Sequence, residues 1–80
     1  MKIKNGDLLS IRKGYYEDMP PEYPDGAWII NASTLQSKFL LEGTPVLIIE
    51  KMHPEKDTLN WKVLVGDNLF IVDQYYLKDL

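Results

Sequence analysis

The sequence predicts a small all-β domain, and three observations carry that reading. Apolar runs of four to six residues are separated by Gly, Pro, Asp and Asn, which is the punctuation of short strands joined by turns. Trp61, Val63 and Val65 alternate with Asn60, Lys62 and Leu64, a period-two pattern that puts successive side chains on opposite faces of a strand. Three of the five prolines fall within residues 13–26, where each removes a backbone donor that a sheet ladder requires.

The elements follow in order. Gly6-Asp7 opens the run Leu8 to Arg12, in which Leu9 and Ile11 share a face. Residues 13–26 form a proline-containing loop, long for a connection within one domain and of the length that is often functional. Asp25-Gly26 leads into Ala27 to Asn31, the second strand. Residues 32–43 read two ways: Ser33 with Gln36 fits a capping box and Leu35 with Phe39 an i,i+4 pair, whereas Phe39-Leu40-Leu41 fits the start of a strand. One short helical turn followed by extended chain reconciles them. Pro45 to Glu50 is apolar on both parities, as in a strand covered on both sides; the alternative, in so small a protein, is that one side is a contact between subunits. Residues 54–58 read as a polar loop. Gly66-Asp67-Asn68 then makes a tight turn between Trp61–Val65 and Leu69–Val72.

From residue 43 onward the order is strand, polar loop, Trp-led strand, tight turn, strand, and then Asp73-Gln74-Tyr75-Tyr76-Leu77. This resembles the C-terminal half of an SH3-like barrel. Trp61 matches the Trp that opens the family's third strand, Gly66-Asp67-Asn68 its distal turn, Asp73-Gln74-Tyr75 its 3-10 turn, and Leu77 to Leu80 its closing strand. The resemblance implies a barrel of five to six short strands with a long first loop and a 3-10 turn near the C-terminus, the whole of residues 1–80 forming one domain. Val72 stands where the family usually has proline, and the acidic-Tyr motif of its peptide-binding members is not cleanly present. The barrel is therefore implied, and proline-rich peptide binding is not. The segments Gly6-Asp7-Leu8, Gly43-Thr44-Pro45-Val46-Leu47 and Trp61-Lys62-Val63-Leu64 also resemble, in style, short SH3-like proteins encoded by tailed phages.

Composition narrows the function classes. At 80 residues the chain is too short for a doubly wound nucleotide-binding sheet or a barrel enzyme. Without cysteine it has no disulfide and no thiolate metal site, and fits a reducing compartment. No apolar run approaches the ~20 residues that span a bilayer, and no secretory signal opens the chain. The expected location is thus the cytoplasm of the producing or host cell, with no membrane partner. A pI near 4.9 disfavours nucleic acid as a partner, since that affinity rests on cations neutralising phosphates.

Catalytic chemistry is not indicated. The sole histidine, His53, begins a polar loop and reads as a solvated turn residue. Ser10, Ser33 and Ser37 lack a nucleophile-elbow context, and no Gly-rich phosphate loop occurs. Glu17, Asp18, Glu22 and Asp25 fit no calcium loop, because Pro20, Pro21 and Pro24 interrupt them. The sequence reading is a non-enzyme without metal or cofactor.

The aromatics carry more. Tyr15, Tyr16 and Tyr23 lie in the proline-containing loop, and Tyr75 in the expected 3-10 turn. Tyrosine is enriched in interfaces, where its ring packs while its hydroxyl stays hydrogen-bonded. In an SH3-like barrel the first loop and the 3-10 turn flank one groove with the Trp between them. That resemblance makes Tyr15, Tyr16, Tyr23, Trp61 and Tyr75 the contact surface for a protein partner, edged by Glu17, Asp18, Glu22 and Asp25. A partner segment with basic and apolar residues suits it. The bland reading of each ring is as core, since a small domain needs every large side chain it has. The alternatives are a nucleic-acid-associated barrel and a homo-oligomeric structural component paired through residues 45–50. The charge singles out the same loop. Residues 13–26 hold four acids against Lys13, while the rest of the chain balances, so the net −3 belongs to this segment.

Overall fold

The structure, a computed structural model, describes residues 2–14, 24–53 and 59–80. They form seven strands: β1 (Leu8–Ile11), β2 (Gly26–Asn31), β3 (Ser37–Leu41), β4 (Pro45–Lys51), β5 (Asn60–Val65), β6 (Asn68–Asp73) and β7 (Leu77–Asp79). A single 3-10 turn, Gln74–Tyr76, joins β6 to β7. All pairings are antiparallel, and the strands lie in one sheet in the order β3-β2-β6-β5-β4-β1-β7. The expected count of five to six strands is exceeded by β3. The expected barrel is not closed by strand pairing, since β3 and β7 remain the sheet edges. Among the described residues no helix is long and apolar enough to cross a membrane.

Each strand turns alternate residues to one side, and those residues build the core. Leu9 and Ile11 of β1, Ala27 and Ile29 of β2, Leu40 of β3, Val46 and Ile48 of β4, Trp61 and Val63 of β5, Phe70 and Val72 of β6, and Leu77 of β7 form one buried cluster. The ladder explains why these side chains meet: Leu9 pairs with Val46, Ile48 with Val63, Val63 with Phe70, Trp61 with Val72 and Ala27 with Leu40. Cross-strand partners share a face, so the register stacks apolar side chains on one side of the sheet.

The hairpin between β5 and β6 turns through Gly66-Asp67, with Val65 opposite Asn68. Gly66 has φ +59 and Asp67 does not share the positive φ, the sign pattern of a type II′ turn, which favours glycine at its first central position. Asn68 is already strand. Residues 32–34 make one turn closed by Leu35 N–H donating to the Asn31 carbonyl at 2.8 Å. Asn31, not Ser33, caps it, its side-chain oxygen accepting the N–H groups of Ser33 and Thr34. The chain beyond is strand β3.

The corner after β3 ties that edge back toward β1 and β7. Gly43 N–H donates to Ile11 O at 2.9 Å. One Glu42 oxygen accepts from the Lys13 N–H at 3.2 Å, and the other lies 3.7 Å from the Lys78 ammonium. A β-bulge at Ile49 shifts the β4–β5 register, so that Ile48 faces Val63 while Glu50 faces Lys62.

Candidate interaction surface

The 3-10 turn is held at both ends. The Asp73 carboxylate accepts the Tyr75 N–H at 2.8 Å, Gln74 N–H donates to Leu59 O at 2.8 Å, and Leu77 N–H donates to Gln74 O. An acidic cap fits, because the first N–H groups of such a turn have no partner inside it. Tyr75 and Tyr76 meet edge to face with ring centroids 5.1 Å apart. Tyr76 packs against the core, whereas Tyr75 is 44% exposed. The outer ring is thus a solvent-facing aromatic on a fixed backbone.

Arg12 connects this turn to the long loop. Its N–H donates to Tyr76 O at 2.7 Å, and its guanidinium lies 5.3 Å from the Tyr75 ring centroid. Next along the chain, the Lys13 ammonium pairs with the Asp25 carboxylate at 3.2 Å. Gly14 N–H then donates to Gly26 O at 3.0 Å, closing the two stems on each other. Both partners of the ion pair are more than half exposed, so it contributes little stability. Tyr75, Arg12 and the roots of the loop are therefore contiguous.

Of the residues singled out from the sequence, Tyr75 is exposed and Asp25 is paired with Lys13. Trp61 is 7% exposed and sits in the core cluster, where its Nε1–H is buried without an acceptor. Tyr15, Tyr16, Glu17, Asp18, Glu22 and Tyr23 lie outside the described residues, as does the polar loop 54–58. Among the described residues no cluster of three or more His, Asp or Glu side chains could hold a metal ion.

Two features escaped sequence reasoning. Arg12 carried no signal beyond its charge. The outer face of the sheet did carry one, since Val63-Leu64-Val65 and Leu69-Phe70-Ile71-Val72 are apolar on both parities. In strand 45–50, Val46 and Ile48 point into the core, while Leu47 is half-buried on the outer side and Ile49 is exposed at the bulge. In comparisons with family models, with curated proteins and with solved structures, nothing matches the chain.

Proposed function

We propose that this domain is a non-enzymatic interaction or assembly module, and that it captures a protein partner at the surface centred on Tyr75. The observation that carries this reading is the Arg12 bridge, which sets an exposed tyrosine beside the stem of the tyrosine-, proline- and acid-rich segment 15–23. A tyrosine on a capped turn loses little conformational freedom on binding and offers both a ring and a hydroxyl. Asp25 and the acids of the loop favour a basic, apolar partner segment. Tyr15, Tyr16 and Tyr23 enter the proposal by sequence alone, in a segment outside the described residues.

An SH3-like arrangement accommodates this reading. The strand order β7-β1-β4-β5-β6, with a 3-10 turn between β6 and β7, follows the family's succession, and the hairpin β2–β3 then occupies its enlarged first loop. Trp61 contributes as a wall of the core beneath the surface rather than as its exposed floor.

Affinity capture with the wild-type domain and with Tyr75→Ala tests the reading, with mass spectrometry and nucleic-acid staining of the same eluates. A protein retained by the wild type and lost with the variant, at unchanged far-ultraviolet dichroism, is the expected result. Identical protein profiles overturn it, and so does an eluate dominated by nucleic acid.

A further inference from the structure

The chain enters β1 through a four-residue turn, Lys4-Asn5-Gly6-Asp7. Asp7 N–H donates to Lys4 O at 3.1 Å, and Lys4 N–H donates back to the Asp7 carboxylate at 2.8 Å. Gly6 has φ +89 and Asn5 does not share the positive sign, the pattern of a type II turn. A Cβ at Gly6 would meet nothing within 4 Å, so glycine stands there for its φ and not for room. Two further bonds carry the β1–β4 ladder out to this turn. Gly6 N–H donates to Ile48 O at 2.7 Å, and Ile48 N–H donates to Asp7 O at 2.8 Å. Ile48 belongs to the core, and Ile3, just before the turn, packs against the same cluster. The turn thus fastens the leading segment to the core, and it does so through an Asn-Gly peptide whose asparagine is exposed.

We propose that Asn5 is a site of spontaneous deamidation, and that the Gly6–Ile48 hydrogen bond sets its rate. The reaction needs only water. The Gly6 backbone nitrogen attacks the Asn5 side-chain carbonyl carbon and gives up its proton. The bond from that carbon to the side-chain nitrogen breaks, and ammonia leaves with the proton. Water then opens the cyclic imide at either carbonyl, leaving aspartate or a β-linked isoaspartate. Gly6 suits the attack because no Cβ shields its nitrogen. The other asparagines, Asn31, Asn60 and Asn68, precede Ala, Trp and Leu, and the Asn31 side-chain oxygen already accepts from Ser33 and Thr34. In the closed turn the attack is blocked in two ways. Ile48 O holds the Gly6 N–H, and a type II turn keeps ψ of its second residue positive, which turns the following nitrogen away from the side chain. Reaction therefore waits for the turn to open. Either product adds a negative charge to a chain that carries −3. The isoaspartate also inserts a methylene into the main chain, which breaks the geometry of the Lys4–Asp7 bond and frees Ile3 from the core. The entry to β1 is thus a slow, one-way switch. The proposal is independent of the reading at Tyr75.

Deamidation rates in mildly alkaline buffer are the test, read by peptide mass spectrometry that separates aspartate from isoaspartate. Asn5 is expected to react first of the four asparagines in unfolding urea, and at least about tenfold more slowly in the folded domain. That retardation should match the hydrogen-exchange protection of the Gly6 amide, because the same opening frees the N–H for both reactions. Asp7→Ala removes the carboxylate that holds Lys4 N–H while keeping the backbone bonds, and should speed the folded reaction toward the unfolded rate. Equal rates in folded and unfolded wild type overturn the proposal, and so does folded-state reaction at Asn31, Asn60 or Asn68 ahead of Asn5. A folded Asp7→Ala that reacts no faster than wild type overturns it as well. If that variant fails to fold, the wild type decides: retardation that tracks Gly6 protection supports the proposal, and retardation unrelated to it overturns it.

Discussion

The Arg12 guanidinium lies 5.3 Å from the centroid of the Tyr75 ring, a cation held over an aromatic face across most of the length of the chain. The backbone of Arg12 is anchored by its hydrogen bond to Tyr76 O, so the side chain reaches the ring from a fixed point. An exposed cation–π pair is worth about 0.5–1 kcal/mol. A double-mutant cycle with Arg12→Met and Tyr75→Leu should return a coupling energy in that range, read from urea denaturation of the four proteins.

Gly26 is the position least able to accept a side chain. A Cβ there would stand 2.3 Å from the backbone oxygen of Leu40 and 2.6 Å from the Phe39 ring. The backbone contact cannot swing away, so the β2–β3 hairpin must shift. Gly26→Ala should cost about 2–3 kcal/mol. That is a large share of the stability of a domain of this size, ~0.05–0.15 kcal/mol per residue. The urea midpoint checks it.

Leu35 adopts φ +61 while 71% exposed. The left-handed region costs an ordinary L-residue roughly 1–2 kcal/mol, and little packing offsets it here. Asparagine tolerates that region, so Leu35→Asn should raise stability by up to about 1 kcal/mol. Its backbone donation to Asn31 is retained, and thermal denaturation reads the gain.

At Trp61 two terms oppose each other. Burying the Nε1–H without an acceptor costs about 1–3 kcal/mol, and phenylalanine removes that donor while losing some volume. Trp61→Phe should therefore lower stability by no more than about 1 kcal/mol, whereas Trp61→Ala should lose ~3–5 kcal/mol to the cavity. Equal losses in the two variants would show that the indole N–H is not a liability.

How much was legible in the sequence differs by element for physical reasons. The β5–β6 hairpin was readable because Trp61 and Val63 alternate cleanly and Gly66 marks the turn. The 3-10 turn was expected only through the resemblance, at Asp73-Gln74-Tyr75, and it lies at Gln74–Tyr76 with Asp73 as its cap. Strand β3 was ambiguous because only Leu40 of its five residues is buried, and Lys38 sits opposite Ile29 at the sheet edge. One buried side chain gives no period. The capping box at Ser33 and Gln36 misplaced the cap because Asn31 still belongs to β2 while its side chain serves the turn. Of the candidate site, Tyr75 was legible as an exposed ring. Trp61 was not separable from the core, since the parity that brings a residue to the inner face is the same for both roles.

The contact between Gly14 and Gly26 has one more consequence, for how this chain tolerates change. It joins the two flanks of residues 15–23 through backbone atoms, with no side chain of either residue involved. The flanks are held by that bond, by the Lys13–Asp25 pair and by the Glu42 corner. Exchange of Lys13 or Asp25 should therefore leave the two flanks in register, since the backbone bond between Gly14 and Gly26 remains.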